Sequence, residues 1–406
     1  MRICVMARQY PVVSQTFVLN HAAGLVARGH EVVVVPIEPR SGDEHLATAP
    51  FAAVMRATAP TPSPLRGNKV ARVVGGVARL GRAPGDVRRF ALRRGDDFPL
   101  QRAGLRLLCA SRIASFAPFD VLHAHFGPTG VAAVALRDAG VFDAPIVCSF
   151  HGYDANVIAQ QVPGIYNPMI GTVAQVTAGT TFMRSVVEGL GFAPDAVTVW
   201  PQGVDTDHIA FRQGARPGDG FHALSVARLV DFKGIDVSIR AVAAARSQID
   251  GLRYTIIGEG ERRDDLERLA KELAVDDIVT FAGAQPHDVV LQAFQDADVF
   301  LLTGRVDAEG QKEGQGVAPL EAAASGLPVI AARAGGLTEV VVDGETGLTI
   351  EPEDYAAAAA ALVRLASDAP LRAALGAAGR AHVERSFSHA HSLDVIEDVY
   401  RSVGRR

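Results

Sequence analysis

Cysteine is scarce: Cys4, Cys109 and Cys148 are the only three in 406 residues. They are odd in number, far apart and set in or beside apolar runs. Neither a disulfide framework nor a zinc-type spacing follows, and a reducing cytosol suits them. Long hydrophobic runs are also missing. No segment approaches the roughly 18 uninterrupted apolar residues of a membrane span, so the chain is expected to be soluble or attached to a membrane only by its surface. The opening run Ile3–Ala7 is cut by Arg8 and Gln9. That is too early for a secretory leader, and the run reads as a first buried strand. A strong charge excess is absent as well. The net charge of −5 gives no whole-chain attraction to nucleic acid, and no such partner is expected.

What is present is globular composition, 48 % hydrophobic and 21 % charged, over a length that suits two domains of about 200 residues. Short apolar runs bounded by Gly or Pro alternate with amphipathic stretches. Strands are expected at Ile3–Ala7, Val32–Val35 (stopped by Pro36), Val121–Ala124, Ile146–Phe150, and near Val176 and Val197, with a helix over Thr16–Arg28. The pattern restarts at Phe221–Val226 and runs through Asp236–Arg246, Arg253–Ile257, Glu261–Leu273, Ile278–Phe281, Val299–Leu302, Ala318–Ser325 and Pro328–Ala331. This is an α/β chain with two doubly wound, Rossmann-like domains. The loop-like stretch Gly203–Gly220 is the candidate linker. The boundaries read 1–202, 203–388 and a final helical segment, 389–406.

One region departs from the average charge. Between Arg66 and Arg112 lie ten further Lys and Arg residues, from Lys69 to Arg106, against Asp86, Asp96 and Asp97. Two readings stay open: a solvated arginine-rich helical face, or a surface for anionic lipid headgroups or a lipid diphosphate.

The strongest chemical signal is Glu313-Gly-Gln-Gly-Val-Ala-Pro-Leu-Glu321. Two carboxylates bracket a glycine-rich loop that runs into a helix near Val317. Gly314 and Gly316 let the backbone approach a ligand, and the helix start offers N–H groups to a phosphate. Carboxylates accept from sugar hydroxyls. A second loop, Arg228-Leu-Val-Asp-Phe-Lys233-Gly234, follows a strand end and carries two cations suited to a diphosphate.

Taken together, these motifs resemble glycosyltransferase family 4, the large retaining group with the GT-B fold. The likeness covers roughly residues 195–390 and continues through Ser325-Gly326-Leu-Pro328 and Gly335-Gly336-Leu-Thr-Glu339 to Gly347. The N-terminal half is similar to the colanic-acid-type exopolysaccharide transferases, through Tyr10–Phe17, Asp120–Gly127 and Ser149–Asp154. Ser14, Gln15 and Thr16 stand where many relatives carry a Gly-Gly loop.

The resemblance implies two Rossmann-like domains facing across a cleft, with the C-terminal helix crossing back to the first. The first would bind the acceptor and the second the nucleotide sugar. Glu313 would contact the donor sugar and Glu321 the ribose. Amides around Gly314, Gly316 and Val317 would contact the phosphates, Gly258 would lie in the donor site, and Arg228 and Lys233 would stabilise the leaving diphosphate. His151, after a strand and before a glycine, is the remaining catalytic candidate. Ser14, Gln15, Thr16 and His125 are the acceptor-side candidates. His125 is taken as the cleft residue of the pair His123/His125, because the strand is expected to end between them. No third metal ligand is evident beside that pair, and no metal or other cofactor is expected.

Two patterns are set aside. Asp205-Thr206-Asp207 spells Asp-x-Asp but falls in the linker. Gly258-Glu259-Gly260 lacks the third glycine of a dinucleotide fingerprint, with Arg263 in its place. The expected activity is retaining, metal-independent transfer of a hexose from a UDP- or GDP-sugar to a lipid-linked exopolysaccharide intermediate, at the cytoplasmic face of the membrane. A small natural-product acceptor, a nucleotide-sugar 2-epimerase and a non-catalytic binding module are the alternatives.

Overall fold

The structure is a computed structural model that describes residues 1–10, 16–39, 85, 87–88, 103–214 and 220–404. The chain divides into two compact units. The first comprises Met1–Ala178, Arg184–Trp200 and Leu393–Arg406; the second comprises Gly179–Met183 and Pro201–Ser392.

The first unit opens with β1 (Arg2–Tyr10), α1 (Thr16–Ala27), β2 (Glu31–Pro39) and α2 (Ala103–Phe116). It continues with β3 (Val121–His125), α3 (Gly127–Asp138), β4 (Ile146–Phe150), β5 (Gln175–Ala178), α4 (Thr181–Glu188, which belongs to this unit from Arg184 on) and β6 (Val197–Val199). All described pairings are parallel, in the order β2-β1-β3-β4-β5-β6. Each strand is a short, nearly continuous apolar run, as a sheet buried on both faces requires. β1 and α1 pack with residues from the far end of the chain: Ile396, Val399 and Tyr400 are buried against Ile3, Val5, Leu19 and Leu25.

The second unit is built from β7 (Phe221–Val226), α5 (Ile235–Ala245), β8 (Leu252–Ile257), α6 (Arg263–Glu272), β9 (Val279–Gly283), α7 (His287–Asp296) and β10 (Val299–Leu302). α8 (Val317–Ala324), β11 (Val329–Ala332), the single turn α9 (Leu337–Val340), β12 (Gly347–Ile350), α10 (Tyr355–Ser367) and α11 (Ala369–Ser386) complete it. The last helix, α12 (His389–Val403), begins in this unit and has most of its length in the first. The sheet order is β12-β11-β10-β7-β8-β9. The chain turns to opposite sides of β7, so a crevice opens at the carboxyl ends of β7 and β10, the usual ligand position in such sheets. One apolar layer covers each face of this sheet.

Several expectations are corrected. Pro36 does not stop β2, which continues to Pro39. β2 is the outermost of the described strands, where a missing N–H costs little, and the Arg112 guanidinium donates to the Pro36 carbonyl (2.9 Å). Arg112 is therefore buried and belongs to no surface patch. Most of the basic stretch 66–112 lies outside the described residues, as do Ser14 and Gln15. Residues of the expected linker pack with the second unit, where Val204 bridges to Ser388. Gly179–Met183 also belongs there, because the N–H groups of Thr181 and Phe182 donate to the Glu339 carboxylate at 2.8 and 2.9 Å. Finally, β3 does not end between His123 and His125 but includes both.

Candidate functional site

In the second unit the predicted residues converge on the crevice after β7 and β10. β7 leads into a loop that closes as a tight turn over Asp231–Lys233. Gly234 then starts α5 with φ +65°, and a Cβ there would lie 1.9 Å from the Thr303 carbonyl oxygen just after β10. Only glycine allows the two loops to meet so closely. Thr303 Oγ1 donates to the Gly234 carbonyl (2.6 Å). The Asp231 carboxylate is held by Arg262 and by Arg305 (3.0 Å), and Arg305 also holds Asp236 (2.6 Å). This anchoring presents Lys233, whose ammonium forms an ion pair with Glu313; both side chains are largely buried. Arg228 and Lys233 both sit against the Phe232 ring, at 5.8 and 5.2 Å from its centroid.

The Glu313 loop is shaped by backbone packing. A Cβ on Gly335 would lie 2.1 Å from the Glu313 carbonyl, and one on Gly336 2.0 Å from that of Gly314. The Gly336 N–H donates to Glu313 O (2.9 Å), and Thr180 Oγ1 donates to Gly314 O (2.9 Å). Gly316, at φ +88°, starts α8 without a side-chain cap, so among the described residues the first N–H groups of the helix, from Val317 on, meet no capping side chain. Gln315 is buried and exchanges two 2.8 Å bonds with the Gln202 backbone. Glu321, one turn into α8, pairs with His287 Nε2 at 2.8 Å, and that partner raises the His287 pKa. Two cations, a glycine-lined helix start and the Glu313 carboxylate thus gather at one crevice, with Glu321 further along the same helix, an arrangement that can hold a group both anionic and rich in hydroxyls.

Neither set-aside pattern competes with this site. Asp205 Oδ1 accepts from the Asp207 and His208 N–H groups (3.2 and 3.3 Å), and Oδ2 pairs with His208 Nδ1 (2.7 Å). Its carboxylate closes a local turn. Gly258 and Gly260 lie against the Ala227 and Leu229 carbonyls, where a Cβ would meet oxygen at 1.8 and 2.3 Å. Gly258 therefore shapes the crevice through the β7 loop.

In the first unit the histidines assemble at the carboxyl ends of β1 and β3. His151 follows β4, is partly buried, and lies between the rings of Phe17 and Phe126 (centroids 4.5 and 4.7 Å). Its N–H, like that of Gly127, donates to the buried Asp154 carboxylate (3.0 and 2.8 Å). Phe126 holds φ +71°, a left-handed conformation that costs a bulky residue on the order of 1–3 kcal/mol and concentrates at functional sites. His125 is fully buried, so it does not present itself to a ligand; it reaches outward only through His151, Nδ1 to Nε2 at 3.0 Å. Thr16, the other acceptor-side candidate that is described, is exposed at the start of α1. His21, on α1, supplies the third histidine missing from the sequence reading. His21, His123 and His125 bring ligand-type nitrogens within 4.8 Å of one another. All six of their ring nitrogens already face hydrogen-bond partners. Burial drives all three pKa values well below the ordinary histidine value, and that of His151 down to about 3.

Comparison with known proteins resolves the class. The model for "Glycosyltransferase Family 4" matches residues 14–208, and that for "Glycosyl transferases group 1" matches residues 207–382. WcaL of Salmonella typhimurium, named as a colanic acid biosynthesis glycosyltransferase, is 30 % identical over 376 residues, covering 89 % of this chain and 90 % of its own. The chain belongs to glycosyltransferase family 4. AmsK of Erwinia amylovora, an amylovoran biosynthesis glycosyltransferase, is 28 % identical across 96 % of both chains. Among solved structures, Anabaena HepE in complex with UDP superposes with a TM-score of 0.72 at 16 % identity, over 99 % of this chain and 100 % of its own. At that identity the likeness concerns the fold: this family 4 enzyme has the GT-B architecture.

The sequence reading missed Arg262, Arg305, His287, Gln315, His21 and Tyr400. Each acts across a distance in the chain, and all but Gln315, which lies within the Glu313–Glu321 motif, sit in no local motif. The one available signal was that an apolar helix such as α1 carries a histidine on the side it buries.

Proposed function

We propose that the enzyme is a retaining, metal-independent hexosyltransferase that takes a UDP- or GDP-sugar as donor and a lipid-linked exopolysaccharide intermediate as acceptor. The observation that carries this reading is the Lys233–Glu313 pair beside Arg228, at a glycine-lined helix start in the second unit. Fixed cations and helix N–H groups aimed at a leaving diphosphate stabilise the charge that develops as the glycosidic bond breaks. This is the task a divalent ion performs elsewhere. Glu313 would accept from the donor sugar's hydroxyls and Glu321 from the ribose, with His287 moving aside or joining the contact. The mechanism favoured is front-face attack by the acceptor hydroxyl, with the leaving phosphate oxygen taking its proton.

The names of WcaL and AmsK support a polysaccharide acceptor, and the HepE complex supports a uridine donor. The first unit would hold the acceptor, through Thr16, His151 and the segment containing Ser14 and Gln15. The basic stretch that begins at Arg66, without the buried Arg112, would contact anionic headgroups at the cytoplasmic face.

The test is a thermal-shift panel of UDP, GDP and their sugars with EDTA present. A ligand at about a hundred times its dissociation constant adds about 2.7 kcal/mol, which moves the melting point of a domain this size by several degrees. A shift with one nucleotide in EDTA identifies the donor class. A shift that appears only with added Mg2+ or Mn2+ refutes metal independence. With the donor known, the anomeric configuration of the product decides between retention and inversion.

A further inference from the structure

The crevice of the second unit holds an ion pair that an incoming diphosphate must disturb. Among the described residues, Lys233 and Glu313 are each the only oppositely charged partner of the other, and both side chains are largely buried. Neither can withdraw with its loop. The turn that carries Lys233 is fixed by the contacts of Asp231 with Arg262 and Arg305, and by Gly234 packed on the Thr303 carbonyl. The Glu313 loop is fixed by Gly335 and Gly336, packed on the carbonyls of Glu313 and Gly314. The neighbouring cations are engaged elsewhere. Lys312 lies over the Phe182 ring, 4.7 Å from its centroid. Arg228 is exposed and sits against Phe232.

A diphosphate brought to Lys233 and Arg228 adds negative charge beside the Glu313 carboxylate. If Lys233 turns to the phosphate, Glu313 is left as a buried charge without its cation, which is strongly unfavourable. If Lys233 serves both, one ammonium is shared between two anions that repel each other. In either case Glu313 opposes the diphosphate. A sugar on that diphosphate reverses the balance, because its hydroxyls donate to the carboxylate that the lysine has given up. The complete donor thus replaces the contact it breaks, and the bare nucleotide does not. The second carboxylate pair does not share this property. His287 is exposed beside Glu321, so water can satisfy what a ligand displaces there.

We propose that Lys233–Glu313 is a charge-exchange pair that favours a nucleotide sugar over the nucleotide diphosphate left after transfer, which makes Glu313 a specificity-determining residue against the product. This rests on the donor-site reading given above and adds a release step to it. Once the sugar has moved to the acceptor, its hydroxyls no longer reach Glu313, and the carboxylate takes Lys233 back from the phosphate.

The test is titration calorimetry of the full-length protein in EDTA, with UDP and UDP-glucose or with GDP and GDP-mannose, whichever pair the thermal-shift panel selects. Wild type is expected to bind the nucleotide sugar about ten-fold more tightly than the free diphosphate. Glu313→Gln keeps the shape of the side chain and removes its charge, while Lys233 stays on its anchored turn. This variant is expected to bind the free diphosphate about ten-fold more tightly than wild type does, with no such gain for the nucleotide sugar. A diphosphate that binds Glu313→Gln no better than wild type overturns the proposal. So does a wild type that binds the free diphosphate as tightly as the nucleotide sugar, and that measurement needs no variant to fold. If no nucleotide or nucleotide sugar binds, the donor-site reading fails and the exchange with it; binding without this selectivity defeats the exchange alone.

Discussion

Glu313 is the side chain on which most of the proposal turns. It is largely buried, and its partner is Lys233. Removing one member of such a pair leaves the other charge uncompensated. Glu313→Ala should therefore abolish transfer and lower stability by a few kcal/mol, yet leave the far-ultraviolet circular dichroism of a folded protein. A folded variant with near-full turnover would remove the donor-site assignment. This carboxylate, Lys233, Arg228 and Glu321 were all legible in the sequence, because each lies within a few residues of a glycine that marks its loop. The partners that aim them were not. Asp231 is gripped by Arg262 and Arg305, which stand 31 and 74 residues away, and nothing in a local pattern ties an arginine on one loop to an aspartate on another.

At the scale of elements, close approach between loops decides the geometry. Gly234 lies where the β7 loop meets the residue after β10, with its Cβ position 1.9 Å from Thr303 O. Gly234→Ala combines a backbone clash with an unfavourable φ. It should weaken nucleotide binding by ten-fold or more, read by titration calorimetry, through displacement of Lys233 from Glu313. α12 is the other decisive element. It buries Ile396, Val399 and Tyr400 in the core of the first unit, at about 1.5–3 kcal/mol for each large apolar side chain. A chain ending at Ser392 should lose the cooperative melting of that unit and keep that of the second, as followed by differential scanning calorimetry. The strand and helix pattern was readable because buried parallel strands are short apolar runs; β10, Val299–Leu302, has the bounds expected for it. β2 was cut short in the reading, since proline stops a strand only where its N–H is needed.

Over the whole molecule, the two units should answer acid differently. Burial lowers the pKa values of His21, His123, His125 and His151, the last to about 3. The unfolded chain then binds protons below about pH 6.5 that the native first unit does not, so its stability is present above that pH and falls as the pH drops. The slope is up to about 1.4 kcal/mol per pH unit for each of the four. In the second unit His287 has the opposite sign. Its pKa is raised by Glu321, so its contribution is present at low pH and lost as pH rises through that value, and its exposure keeps the effect small. Calorimetry between pH 7.5 and 5.5 should show the first unit's melting point falling more steeply than the second's; equal slopes would contradict the burial of neutral histidines.

The sequence by itself determined the family, the two Rossmann-like units and the two glycine-marked loops of the second unit, because those signals are contiguous: a strand, a glycine-marked turn and a charged side chain within about ten residues. Only the tertiary structure decided what the histidines do. His21 and Tyr400 are 379 residues apart and His21 and His125 are 104 apart. Helix α1, strand β3 and the last helix must pack together before those rings meet. Once they do, burial removes the water that would otherwise satisfy each ring nitrogen. The protons must then be shared among those rings, a constraint written in no single segment.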